Sequence, residues 1–436
     1  MESETRQVTA IVVGCGNRGQ NYSSYALECP QRLKIVAVAD PIKSRRQKIA
    51  RMSGLTNEEL IVDDWVKLSS KGTRIADCVF ICTQDQFHCG PAVSFASRGY
   101  HILLEKPMSV EEKECEEIAM ACQKANVILA VCHVLRYFPP VLKIKEIIDQ
   151  GYIGEVVTVD HRENILYWHF AHSFVRGNWR NVKTSTFSLM AKSCHDIDLI
   201  MFWMGDRKCN KIQSFGSLKH FRQDQKPKGA GQTCLSCPEE VERLCPYSAK
   251  KIYLDRLSPR EIPHWPMSVV CDVEDHPKGY RHALTETLKS GPYGKCVYEC
   301  DNDVVDHQVV NMEFENEATA SFTMNAFTKD MRRETRICGT KGELRWDGSS
   351  HGPIEVFDFT TGKGDQIFPD QTVPASTRLR GHGGADFFMI DAFIKSVSSN
   401  DQSLILTGIK DSLRSHKVVF AAERSRLNNT IETVDI

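Results

Sequence analysis

Three groups of residues in this chain have the types and spacing for chemistry. The first is the turn Gly14-Cys15-Gly16-Asn17-Arg18-Gly19, which follows the apolar run Val8 to Val13 and precedes a helical pattern from Gln20 to Leu27. In that strand, turn and helix setting, glycines let the backbone approach a pyrophosphate and the N–H groups of the helix start supply an anion site. Gly14, Gly16, Asn17, Arg18 and Gly19 are therefore candidate dinucleotide contacts. The second group, Glu105-Lys106-Pro107, ends a short apolar strand and holds out an amine. The third is the pair Lys192 and His195. Their spacing of three places both on one face of an expected helix through Asp198, and Thr184-Ser185-Thr186 precedes it as a cap. A cation beside His195 should favour its neutral imidazole.

The elements that must position these groups form two patterns. From Val8 onward, apolar strands (Val8 to Val13, Lys34 to Asp40, Ala76 to Thr83, His101 to Leu104) alternate with helical stretches, which predicts a Rossmann-type, doubly wound parallel sheet over residues 1–132. Asp40 closes the second strand where a carboxylate can bind both adenosine ribose hydroxyls and repel a 2′-phosphate, favouring NAD. Lys43, Arg45 and Arg46 follow closely and leave NADP open, although solvated helix charges are the simpler reading. Thr83, His88 and Glu105 stand at the same carboxyl edge and complete the candidate cofactor residues. Beyond His133 the strands lengthen and alternate polar with apolar residues, as in Val156 to Asp160, Val304 to Glu313, Thr319 to Phe327 and Glu334 to Cys338. This predicts an α+β domain over residues 133–436 with a largely antiparallel, open sheet.

Composition excludes some function classes. The chain has 436 residues, 41% hydrophobic and 25% charged, with a net charge of -1. No global positive field gathers nucleic acid or an anionic membrane, so neither is expected as a partner. No apolar run has the length of a membrane span, and Met1 to Arg6 is polar rather than built like a signal peptide, so a cytoplasmic location is expected. Most of the 17 cysteines read as small thiols in a reducing compartment.

The glycine turn, the acid ending the second strand, the segment Gly99-Tyr100-His101-Ile102-Leu103-Leu104-Glu105-Lys106-Pro107, the run Arg136-Tyr137-Phe138-Pro139 and the stretch His195-Asp196-Ile197-Asp198 together resemble the glucose–fructose oxidoreductase and inositol dehydrogenase (Gfo/Idh/MocA) family over nearly the whole chain. The resemblance implies an NAD(P)-dependent oxidoreductase moving hydride between nicotinamide and a sugar, polyol or related hydroxy or keto carbohydrate. It gives Lys106 the task of polarising the reacting oxygen and His195 that of moving its proton; Lys192, on the same expected helix face as His195, joins them as a catalytic candidate from its spacing rather than from the resemblance. A fixed ammonium lowers the cost of a developing alkoxide, which makes the first role physically sound. It also implies a homodimer or homotetramer formed through the open sheet. Many relatives carry an aspartate one helical turn before the histidine; here the position is Ala191, which puts the usual polyol substrates in doubt. Arg136, His161, Arg162, Trp179, Arg180 and His382 are candidates for the substrate wall, an aromatic with polar donors suiting a sugar ring. Two rival readings are an NAD-dependent glycoside hydrolase working by transient oxidation and elimination, and a nonenzymatic dinucleotide sensor.

A polar, proline-rich insertion at about 217–294 carries Cys234-Leu235-Ser236-Cys237 and Cys245-Pro246-Tyr247. The spacing reads as a structural zinc site held by Cys234, Cys237 and Cys245, with Cys271, Cys296, Cys300, His264 or His276 as fourth ligand; a redox pair and free thiols are the alternatives.

Overall fold

The computed structural model describes residues 6–273, 276–370, 374 and 377–435, so the amino-terminal stretch read above lies outside them except for Arg6. Strands β1 (Val8–Val13), β2 (Leu33–Ala39), β3 (Ile61–Val62), β4 (Cys78–Ile81), β5 (His101–Leu104) and β6 (Leu129–Val131) form a parallel sheet in the order β3-β2-β1-β4-β5-β6. All four residues of β4 are buried, as are five of six in β1. Helices cover both faces of such a sheet, so the strands read as continuous apolar runs rather than alternating ones. The strand order reverses between β1 and β4, whose carboxyl ends therefore open the crevice where such sheets take a ligand. The first helix begins earlier than its apolar pattern, at Asn17, which makes Gly16 the N-cap.

The second sheet contains β7 (Val156–Leu166), β8 (Cys209–Ser217), β9 (His307–Phe314), β10 (Thr319–Thr328), β11 (Arg332–Gly339), β12 (Gly342–Trp346), β13 (Ile354–Asp358), β14 (Lys363–Ile367) and β15 (Glu432–Thr433) in the order β14-β13-β12-β11-β7-β10-β9-β8-β15. Every neighbouring pair is antiparallel except β7 with β10. The alternation that marked these strands resolves into a covered face, with Val159, Phe322 and Met324 buried, and an outward one exposing Val157, Phe215 and Val309. Among the described residues, the excursion between β8 and β9 contains short helices and one longer one, Tyr280–Ser290.

After the second sheet the chain returns to the first. Helix Ala385–Ser399 packs there: Tyr25 and Arg32 both donate to Asp391, at 2.6 and 2.8 Å, and Phe80 meets Phe393 edge-on. The first sheet ends with β6 at Val131 and the second begins with β7 at Val156, yet this returning helix packs the two parts of the chain together.

Candidate active site

The glycine turn is shaped by close backbone approach. Gly14 has φ +90°, and a Cβ there would strike the Cys82 carbonyl; a Cβ on Gly19 would strike the Gly14 carbonyl. Gly16 is different. A Cβ at Gly16 would meet no protein atom within 4 Å, so the space over the turn is open just where the helix Asn17–Ser23 presents its first N–H groups. That cradle fits a pyrophosphate. Asp40 stands beside it, buried at the end of β2, with one carboxylate oxygen accepting from the Cys15 N–H at 2.7 Å and the other from the Ile42 N–H at 2.8 Å. Each oxygen keeps a lone pair for a ribose hydroxyl. Arg46 donates to the Asp40 and Pro41 carbonyls, and Arg45 lies 3.5 Å from Asp272, so both guanidinium groups have partners within the protein.

Arg18 is placed differently from a phosphate ligand. It donates to Glu105 at 2.7 Å and to both oxygens of Asp386 at 2.9 and 3.0 Å, clamping the turn to β5 and to the returning helix. Glu105 also accepts from Tyr22 and from the Lys106 N–H, at 2.7 and 2.9 Å. Burial pushes the Glu105 carboxyl up, but Arg18 and Lys106 outweigh it and hold the group below the usual carboxylate range. His88, with no exposed surface, has Nδ1 2.7 Å from the Pro107 carbonyl and Nε2 3.2 Å from the Thr83 carbonyl. It braces the loop carrying Lys106, while Thr83 is half-buried and donates to the Phe87 carbonyl.

Lys106 and His195 come together from the two halves of the chain. The Lys106 Nζ donates to the Ala191 carbonyl at 2.6 Å and sits 5.7 Å from the centre of the Trp179 ring. His195 is buried, its ring 5.6 Å from His133 and 5.8 Å from His382. Burial holds the His195 imidazole well below its usual pKa, and Lys106, His133, His382 and Arg333 push in the same direction. The ring is therefore neutral near pH 7. His382 adopts φ +52° in its glycine-rich loop and lies 3.0 Å from Asp386, so the Arg18 clamp also orients this histidine.

Several candidates need correction. Lys192 and His195 do not share a helix face: one helix ends at Ala191 and the next begins at Cys194, with Lys192 and Ser193 between them. Lys192 instead lies 3.1 Å from Glu163, which is also 3.1 Å from Arg333; the charges that act on His195 come from Lys106 and Arg333. Arg136 is buried against Asp198, donating twice at 2.7 and 2.8 Å, and holds the chain junction together rather than facing substrate. His161 is buried between Thr335 and Asp196, at 2.8 and 3.1 Å. Arg162 points to the outward face near Glu334, and Arg180 pairs with Asp301 at 2.7 Å. The Trp179 ring lies 5.7 Å from the Lys106 Nζ, and its Nε1 donates to Asp85 at 2.8 Å. Among the described residues, no three or more His, Cys, Asp or Glu side chains are drawn into a metal-holding set, so the geometry does not show the zinc site expected at Cys234, Cys237 and Cys245.

Glu163, Arg333, Asp85 and His133 escaped the sequence reading. Glu163 and Arg333 are cross-strand partners on β7 and β11, visible only once the register is known. His133 carried a signal: it sits at the junction of the two strand patterns, two residues after the end of β6.

Comparison with known proteins decides the lineage. The oxidoreductase-family model for an NAD-binding Rossmann fold matches residues 8–133, and that for the family's C-terminal α/β domain matches residues 145–436. The chain belongs to the Gfo/Idh/MocA oxidoreductase family. The putative oxidoreductase YteT of Bacillus subtilis (strain 168) is 25% identical, covering 80% of this chain and 76% of that protein. The 2,7-anhydro-N-acetylneuraminate hydratase of Escherichia coli (strain K12) is 24% identical over 48% of this chain and 53% of its own length. The chain spans about half the length of most such curated relatives. Levoglucosan dehydrogenase, solved with NADH and levoglucosan, shares the fold of this Gfo/Idh/MocA protein with a TM-score of 0.69 at 16% identity, covering 99% of this chain and all of the other. No helix among the described residues is long and apolar enough to cross a membrane.

Proposed function

We propose that this family member is an NAD-dependent dehydrogenase acting on a carbinol of a sugar or sugar derivative. The observation that carries the reading is the approach of Lys106, from the edge of the first sheet, to His195, from a helix of the second half, so that the charge of one bears on the ring of the other. The nicotinamide, when bound, supplies the hydride acceptor. Gly16 and the helix start at Asn17 would seat its pyrophosphate, and Asp40 its adenosine ribose; with Arg45 and Arg46 otherwise engaged, Asp40 favours NAD over NADP. At the substrate, Lys106 hydrogen-bonds the hydroxyl oxygen and stabilises the alkoxide character that builds as hydride leaves. His195, neutral at the outset, takes the hydroxyl proton. Trp179 and His382 flank the opening and offer a sugar a flat face and a polar edge. The exposed apolar residues on the outward face of the second sheet are read as a surface shared between copies of the chain.

Kinetics of Lys106→Met over a carbohydrate panel test this reading. The variant is expected to lose about 10²- to 10³-fold in kcat, the scale for removing one preorganised charge stabiliser, while binding NAD as the parent does. Equal loss of both would contradict the role. The relative named as a hydratase favours a second reading, transient oxidation followed by elimination and re-reduction. Substrate conversion with tightly held NAD and no accumulation of NADH would select it. A dinucleotide sensor would instead bind NAD without turning over any sugar of the panel.

A further inference from the structure

Four cysteines from three places in the chain wall one small cavity outside the active site. Cys234, Cys237, Cys245 and Cys296 are among the residues lining a volume of about 20 Å³, room for a single water-sized occupant. A short antiparallel contact brings the distant segments together: Thr233 pairs with Lys295, the Cys234 N–H donates to the Gly294 carbonyl at 2.9 Å, and the Cys296 N–H to the Gln232 carbonyl at 3.0 Å. The Cys-x-x-Cys corner and Cys296 are thereby held against each other by backbone, and Cys245 enters after the helical turn Glu239–Glu242.

The independent observation is Arg176. Its side chain is almost wholly buried and donates to the Lys295 and Tyr247 carbonyls, both at 2.8 Å, and to the Cys234 sulfur at 3.3 Å, while Nη1 is buried without a partner. Among the described residues no carboxylate forms an ion pair with it. A guanidinium cannot shed its proton, and a buried charge without a counter-charge is strongly unfavourable. The groups able to become anionic around it are Cys234, Tyr253, Cys300 and Cys245. Glu242 also borders the cavity; its Oε2 lies 4.0 Å from Lys250, and its Oε1 is buried without a hydrogen-bond partner.

We propose that Cys234, Cys237, Cys245 and Cys296 bind one zinc ion as a tetrathiolate, with Arg176 as its buried counter-charge. Four thiolates around a divalent ion leave a dianion, which answers the unpaired cation at Arg176. The four protons of the thiols leave to solvent on binding, and no electron is transferred. As the thiols stand they are not drawn into a set; closure on the ion requires their side chains to turn into the cavity they already share. Because a closed set leaves no open position, the ion is structural. It fastens the excursion between β8 and β9 to the segment bearing Arg176, three residues before Trp179.

The full-length chain, purified without chelator and without added zinc in the final steps, is analysed for elements and mapped by thiol alkylation with and without a strong chelator. The expected results are about one zinc per chain and protection of Cys234, Cys237, Cys245 and Cys296 until the chelator is added, with Cys300 indifferent to it. Cys296→Ser should lose most of the zinc, whereas Cys300→Ser, whose thiol lies outside the cavity and donates to the Cys296 carbonyl, should keep it. A chain free of zinc, iron in its place, a Cys234–Cys237 disulfide, or alkylation insensitive to chelator would each overturn the proposal. If Cys296→Ser does not fold, the alkylation map of the parent chain decides alone.

Discussion

Asp40 concentrates the cofactor question into one side chain. Its two oxygens are fixed by the N–H groups of Cys15 and Ile42, so the carboxylate is already oriented before any ribose arrives. An anion held this way at the end of β2 rejects a 2′-phosphate by like-charge repulsion worth several kcal/mol, and the two arginines that would offset it are turned elsewhere. Asp40→Asn keeps the shape, removes the charge and still accepts one of the two backbone bonds. It is expected to lower the NAD-to-NADP ratio of kcat/KM by about tenfold or more, mainly by admitting NADP. A ratio unchanged from the parent, measured with both cofactors at saturating substrate, would show that discrimination lies outside this carboxylate. On the proposed function the site holds two kinds of charge: the Asp40 carboxylate toward the cofactor and Lys106 toward the substrate.

At the scale of elements, the start of helix Ala385–Ser399 does more than cover the first sheet. Asp386, fully buried, receives two bonds from Arg18 and one from Asn21 at 2.8 Å, and it faces His382. The helix is therefore tied both to the glycine turn and to His382. Asp386→Ala leaves Arg18 with Glu105 and the Tyr22 hydroxyl and should cost about 3 kcal/mol of stability, the low end for breaking a buried pair, seen as a lower midpoint in urea with an unchanged slope. The KM for NAD should rise with it, whereas a loss of stability alone would place the clamp outside cofactor binding. This tie was not legible in the sequence, and the reason is physical: Arg18 and Asp386 are brought together by a chain that leaves the first sheet, builds the second and returns. The glycine turn and Lys106 were legible because their setting of strand, turn and helix is local. The Lys192 and His195 relation was misjudged from the same local logic, since periodicity carried the helix through Lys192 and Ser193, where the backbone leaves the helical path. Lys192 then turns to Glu163, a residue whose place depends on β7 lying between β10 and β11.

Across the whole molecule, buried imidazoles and buried carboxylates make the fold sensitive to acid in two stages. His133, His195, His172 and His416 are all held below the ordinary histidine range, chiefly by burial, the last two down to about 3. The bonding of His416 explains why: Nε2 accepts from the Met108 N–H at 2.9 Å while Nδ1 faces the Ser412 carbonyl at 2.7 Å, an arrangement only the neutral ring can satisfy. In the unfolded chain these rings take up protons as the pH falls through about 6.5, but the folded chain does not. The unfolded state then binds more protons, so stability falls with pH at up to about 1.4 kcal/mol per pH unit for each such histidine. For His172 and His416 that loss runs from about 6.5 down to about 3. The second stage belongs to Glu105, Asp196 and Asp198. Burial pushes each of them up, yet their cationic neighbours hold all three below the usual range, Asp196 at about 2. Their contribution is complete above the ordinary carboxylate range and is lost below it, adding to the histidine loss rather than opposing it. Urea midpoints measured from pH 8 to pH 4.5 should therefore be level down to about 6.5 and then decline steadily, well before any carboxylate titrates. His416→Gln should make that decline shallower. A midpoint that stays flat to about pH 4.5 would mean that the histidines are solvated and free to protonate in the folded chain.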